Sequence, residues 1–216
     1  GKSIASALLG YAYGFKKIYL IDVGDFAIKD INFYKKFAIN LKNRGYLMPD
    51  ISNAKSLKDI LIKCNAEYLV NGLSSFKKIK SNSIDFSFSH SVLEHIRKRE
   101  FIDTILQLKR IMRKHSVSSH IIDYQDHLNK SLNNLRFSEG LWESDLFANS
   151  GFYTNRIPAI KIHKYFCENG FKILKENFGK WPRLPIYRQL IHPDFDIYKD
   201  QLKQRLDPTV TILQGV

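Results

Sequence analysis

The chain has 216 residues and a formal charge of +13, with 44% hydrophobic composition. That length fits one domain, 1–216, with modest embellishments and a core large enough to need no staples. Two distant cysteines, Cys64 and Cys167, exclude a disulfide framework or a cysteine metal cluster and fit a reducing, cytoplasmic setting, while no apolar run approaches the roughly 20 residues of a membrane span.

The chain opens on Gly1, in what reads as the middle of a motif, so an N-terminal truncation is expected. Ser3 to Tyr13 is small, apolar and helical in character, with Ser3 as N-cap and Gly14 as the stop. Lys17 to Val23 contains a near-continuous apolar run ending beside Asp22, the pattern of a parallel strand covered on both faces. Asp30 caps a helix to about Lys42 whose buried face is expected at Phe33, Phe37 and Leu41, and Gly45 ends it. Ser56 caps a second helix through Leu57, Ile60, Leu61 and Cys64. Ala66 to Val70 is a short strand, and Asn71-Gly72 a turn.

Ile84 to Phe88 reads as a buried strand running into Ser89-His90-Ser91 and a helical turn with Leu93, Glu94 and His95. A helix from Glu100 to Met112 follows, with Phe101, Ile105, Leu108 and Met112 on one face. Ser119 to Tyr124 is the next strand. Alternation at these spacings means an α/β fold with an open, mostly parallel sheet. From 125 to 158 periodicity is lost among Asn, Arg and aromatic residues, the signature of a functional insertion on the substrate side. A helix from Ile160 to Glu168 and a strand from Phe171 to Lys175 complete the pattern. The extension from 181 to 216 holds four of the six prolines and closes on Thr209 to Leu213, an expected edge strand.

Ligands of open α/β sheets sit outside the carboxyl ends of the strands. Asp22 is therefore placed to accept hydrogen bonds from ribose hydroxyls, with Asp25 as the competing acid. His90, His95, His120 and His127 lack zinc spacing, and no metal is expected. Acid–base work falls to His127, just past a strand end, with Asp126 orienting it and His90 as a further candidate. The charge admits nucleic acid as a partner. However, only Lys77-Lys78-Lys80, Arg97-Lys98-Arg99 and Lys109-Arg110-Arg113-Lys114 cluster, and a solvated helix face explains the last two. A small molecule is the favoured partner, and the oligomeric state is left open.

Taken together, the acid at Asp22, the run D-F-x-F-S-x-x-x-L-E-H from Asp85 to His95 and the strand order resemble class I S-adenosylmethionine-dependent methyltransferases, in particular the broad type 11 group, over roughly residues 1–175. The resemblance implies a Rossmann-like sheet with helices on both faces and its first strand missing. It implies S-adenosyl-L-methionine as cofactor, held by Gly1 and Ser3 at the end of the glycine-rich motif, Asp22 and Val23, Gly72, Leu73 and Ser74 near the adenine, and Ser89, His90 and Ser91 at the methionine end. Arg113-Lys114-His115-Ser116 replaces the family's usual turn. Acceptor recognition is implied for the insertion, with Arg136, Trp142, Tyr153, Asn155 and Arg156 as the binding residues. The polar content suggests a hydroxyl-bearing metabolite such as a sugar. A nucleic-acid methyltransferase and a catalytically degenerate binding domain are the alternatives.

Overall fold

The computed structural model describes residues 2–177, 179, 181, 184–195 and, as backbone, 209–214. It divides into two units, Gly1–Lys78 and Ile79–Val216. Gly1 lies outside the described residues, as does part of the 181–216 extension.

In the first unit, α1 (Ala5–Ala12) leads into β1 (Ile18–Ile21), then α2 (Ile31–Asn43), α3 (Leu57–Lys63) and β2 (Ala66–Leu69). β1 and β2 pair in parallel, from Ile18 opposite Ala66 to Ile21 opposite Leu69. The expected caps hold at Asp30, whose carboxylate accepts from the Asn32 N–H at 2.9 Å, and at Ser56, which forms a reciprocal capping box with Asp59. Gly14 (φ 78°) and Gly45 (φ 87°) end their helices in the left-handed region. Ile4 rather than Ser3 holds the N-cap position of α1, but Ser3 Oγ still accepts from the Ala5 N–H (3.4 Å) at the start of the helix.

The buried face of α2 also differs from expectation. It consists of Tyr34, Ala38 and Leu41, while Phe33 is 39% exposed. Tyr34 takes the interior because its hydroxyl has partners there. It donates to the Ile28 carbonyl (2.9 Å) and accepts from the Ile4 N–H (3.3 Å). Around it pack Ile4, Leu8, Ile18, Ile60 and Cys64, and burial pushes the Cys64 thiol up to about 11.

In the second unit, β3 (Ile84–His90), α4 (Lys98–Ile111) and β4 (Met112–Ile121) form a parallel crossover. Short helices α5 (Glu139–Trp142) and α6 (Asp145–Ala148) punctuate the insertion. α7 (Ala159–Glu168) and β5 (Phe171–Asn177) follow, and β6 (Thr209–Gln214) closes the chain. The sheet order is β3-β4-β6-β5, with β6 antiparallel to both neighbours. The last strand is therefore internal to its sheet rather than an edge.

Two boundaries shift. The last buried residue of α4 is Ile111, and Met112 already begins β4. Ile84 pairs with Met112 but Phe86 with Val117, so residues 113–116 loop out, with His115 at φ 62°. The expected turn there lies inside the strand rather than ahead of it. β3 is also not buried on its phenylalanine face. Phe86 and Phe88 stack at 6.1 Å and are 41% and 55% exposed, whereas Ser87 and Ser89 point to partners on β4.

Candidate functional site

At the carboxyl end of β1 the chain turns at Asp22, partly exposed, and each of its groups is held. Its N–H donates to the Leu69 carbonyl (2.8 Å), and its own carbonyl accepts from Gly72 N–H (2.8 Å). Oδ1 accepts from Val23 N–H at 2.8 Å. The Tyr68 hydroxyl lies 3.4 Å from Oδ2, 3.1 Å from the Gly24 carbonyl and 3.3 Å from the Phe26 N–H. Tyr68, absent from the sequence expectations, thus pins the whole 22–26 turn. The Asp22 carboxylate raises the Tyr68 phenol, though burial is the larger cause.

Gly72 adopts φ +51° beside Val23, a conformation that costs other residues about 1–2 kcal/mol. Leu73 and Ser74 continue from it into a tight turn in which Ser75, also missed, is buried and accepts from Asn71 N–H (3.0 Å). Asp25, the competing acid, pairs with Lys29 at 2.5 Å.

In the second unit, β3 ends at Ser89-His90-Ser91 beside the end of β4. Ser91 N–H donates to the Ile121 carbonyl (2.9 Å), and Ser91 sits at φ 51°. A non-glycine residue held in the left-handed region is stored strain of the kind that collects at functional sites. His90 is exposed and Ser89 half-buried. Beneath them, Glu94 is 3% exposed, and neither carboxylate oxygen has a partner in hydrogen-bonding geometry. Burial pushes it up to about 7 and the Asp123 carboxylate adds to this, against the smaller pull of nearby backbone N–H groups and the Ser91 hydroxyl.

His127 is exposed, and its ring lies 4.9 Å from that of His95. The His95 Nδ1–H donates to the Tyr153 carbonyl (2.8 Å), which leaves Nε2 as the lone-pair nitrogen. The His95 residue is exposed overall, while its bond to Tyr153 lies in a part-buried environment. That burial, with the His127 ring as a lesser cause, lowers its pKa.

Asp126 does not orient His127. It is 1% exposed, and its carboxylate accepts from the N–H groups of Leu128 (3.0 Å), Asn129 (2.8 Å), Ser131 (3.4 Å) and Asn133. It builds the loop that carries His127, and no hydrogen bond joins the two among the described residues.

The insertion residues expected to touch an acceptor are mostly occupied elsewhere. Trp142 is fully buried, donates from Nε1 to the Thr154 carbonyl (2.7 Å) and packs against Phe137 and Phe147. Tyr153 donates to Glu143 (2.9 Å). Arg156 lies over the rings of Trp142 and Phe195, and it donates to the Asn134 and Phe137 carbonyls and to Glu139. Asn155 clamps the turn after β3. Its Nδ2 donates to the carbonyls of Leu93 (2.7 Å) and Ile96 (2.8 Å), and its N–H donates to that of Glu94 (2.7 Å). Arg136 alone of the five is exposed.

Several basic side chains of the clusters are likewise engaged. Arg97 binds Asp145 and Asn149, Lys98 binds Glu139, Arg110 binds Ile79 and Ser81, and Arg113 binds Asp85. Among the described residues no His/Cys/Asp/Glu group is arranged to hold a metal.

No protein-family profile matches the chain, and no curated protein matches it by sequence. Its backbone does match solved structures. A S-adenosylmethionine-dependent methyltransferase from Methanosarcina mazei superimposes with TM-score 0.55 at 12% identity, covering 96% of this chain and 86% of that one. The fold is that of the class I methyltransferases. The [4+2]-cyclase SpnF matches at TM-score 0.51 and 11% identity, covering 96% and 70%. Geranyl diphosphate C-methyltransferase from Streptomyces coelicolor, solved with S-adenosyl-L-homocysteine, matches at 0.51 and 10%, covering 95% and 67%. A cyclase on the same fold shows that the scaffold alone does not dictate the reaction.

Proposed function

We propose that the protein transfers a methyl group from S-adenosylmethionine to a small, hydroxyl-bearing acceptor such as a sugar. The observation that carries the proposal is Asp22, presented at the carboxyl end of a parallel strand and bonded through its carbonyl to the positive-φ Gly72. An acid beside a turn without side-chain bulk suits a nucleoside: the carboxylate would accept from ribose hydroxyls, with Val23 and 72–74 alongside. Ser3, in the same unit as Asp22, would contribute to the methionine portion. No helix among the described residues is long and apolar enough to cross a membrane.

Bound there, S-adenosylmethionine supplies an electrophilic methyl group for displacement by an acceptor oxygen. The chain's own part is alignment, a contribution on the order of 7–11 kcal/mol where geometry is well fixed, and removal of the acceptor's proton. His127 is assigned that proton. It is exposed on the loop shaped by Asp126, beside a His95 ring whose donor is already committed. His90 is the second imidazole available for this work. Among the insertion residues, Arg136 is the one retained as an acceptor contact. The others hold the turn and loop in place.

The test is incubation of the full chain with methyl-labelled S-adenosylmethionine and a panel of monosaccharides, nucleotide sugars and hydroxy-aromatics. Label should enter at least one hydroxyl compound. His127→Ala should lower kcat about 100-fold with KM little changed, the lower end of general-base effects. No incorporation, or incorporation indifferent to His127→Ala, would contradict the proposal.

A further inference from the structure

Glu94 is a buried titratable group that none of the above uses. It sits in the short turn Leu93–His95 after β3, 3% exposed, with no hydrogen-bond partner for either carboxylate oxygen. The turn itself is firmly held. Ser91 N–H joins its start to the end of β4, and Asn155 ties down the carbonyls of Leu93, Glu94 and Ile96. A carboxyl buried without a donor in so fixed a turn is a standing cost to the fold. Such a group calls for a donor from outside the chain.

The groups around it accept hydrogen bonds rather than donate them. Asp123, two residues past β4, acts electrostatically on both Glu94 and His95. Its Oδ1 accepts from the Gln125 N–H (2.9 Å), and Oδ2 remains as an acceptor. The His95 Nδ1–H is committed to the Tyr153 carbonyl, so Nε2 offers a lone pair. The basic side chains next along the chain, Arg97 and Lys98, pair instead with Asp145 and Glu139. All of these groups belong to the second unit. Lone pairs are in excess here, and the carboxylate charge is negative. A ligand hydroxyl would bring one hydrogen and further lone pairs, and a carboxylate or phosphate would bring repulsion. A primary ammonium brings three hydrogens, no lone pair and the matching charge.

We propose that the carboxyl ends of β3 and β4 form a site for a primary ammonium group, held by Ser91, Asp123 and the bare His95 nitrogen, with Glu94 beneath as its counter-charge. Ligands of parallel sheets sit at this end of the strands. Burial pushes Glu94 up to about 7, so it carries its proton much of the time at neutral pH. The arriving cation favours the ionised form, and the proton is released. The ammonium site does not depend on the methyl donor. Combined with the methyl transfer proposed above, and resting on that reading, it makes the acceptor an amino alcohol or amino sugar.

The probes are ethanolamine and glucosamine, with ethylene glycol and glucose as their amine-free counterparts, titrated into the isotope-labelled full chain without methyl donor. By NMR at neutral pH, both amines should move the Glu94 carboxyl carbon toward its ionised position and shift the His95 ring nitrogens. The amine-free compounds should do neither. Glu94→Gln keeps the shape and removes the charge, and it should weaken amine binding about 10-fold, while Glu94→Asp should restore most of the loss. Amines that leave Glu94 unmoved, equal affinity in Glu94→Gln, or an equal response to glucose would overturn the proposal. Methyl incorporation is read separately. Amine binding without label transfer would keep the ammonium site and remove the methyl-transfer reading, and label transfer to glucose without amine binding would do the reverse.

Discussion

Tyr68 is the side chain whose removal should say most about how Asp22 is held. Tyr68→Phe deletes the hydroxyl that reaches Asp22, Gly24 and Phe26 and leaves the ring in place. Stability should fall by about 1 kcal/mol, an ordinary hydrogen-bond contribution, and affinity for S-adenosylhomocysteine by roughly 3- to 10-fold as the turn loosens. Urea denaturation and calorimetry check both, and a fall in stability alone would place Tyr68 outside the site. Asp126→Ala should do the opposite kind of damage. Stripping four backbone donors of a buried carboxylate should cost at least about 3 kcal/mol, visible as a lowered urea midpoint. Asp30 and Ser56 were legible because their partners lie a few residues away in the same helix turn. Trp142, Asn155 and Arg156 were not, because the groups they bind lie 12 to 62 residues off, and polarity alone cannot separate a ligand contact from an internal clamp.

At the scale of elements, the alternation of strand and helix was readable because burial imposes period 2 or 3.6 on the sequence. Strand order was not, because nothing local to Thr209–Gln214 says that it inserts between β4 and β5. The helix face of α2 was misjudged for a related reason. Phe33 outranks Tyr34 by hydrophobicity, yet Tyr34 satisfies its hydroxyl inside. The β3 end carries its own prediction. Ser91→Gly relieves a left-handed conformation at φ 51° and should raise stability by about 0.5–1 kcal/mol in urea denaturation. Lower stability would mean that the Ser91 hydroxyl beside Glu94 outweighs the backbone strain.

Across the whole molecule, two buried groups set opposing pH dependences. His120 is lowered from 6.5 to about 4, so the unfolded chain binds its proton more readily between those values. That contribution is fully present above pH 6.5 and is lost as pH falls toward 4. Glu94 is raised from 4.5 to about 7, so the folded chain binds its proton more readily, and stability falls as pH rises from 4.5 to 7. Each amounts to about 3 kcal/mol, and they nearly cancel within their shared window. Glu94→Gln should therefore give a stability that rises with pH there, and His120→Asn one that falls. Flat urea midpoints for both variants would contradict the account. The +13 charge belongs to this scale too. Arg97, Lys98, Arg110 and Arg113 each bind groups within the chain, so much of the clustered charge serves the fold.

The central claim is that this chain binds a sulfonium nucleoside through Asp22. Isothermal titration of the full chain with S-adenosylmethionine and S-adenosylhomocysteine tests it most directly. Binding should be measurable for both, and Asp22→Ala should weaken it by about 10- to 100-fold, the loss of hydrogen bonds to a charged acceptor. No binding at millimolar ligand, or equal affinity in Asp22→Ala, would contradict it.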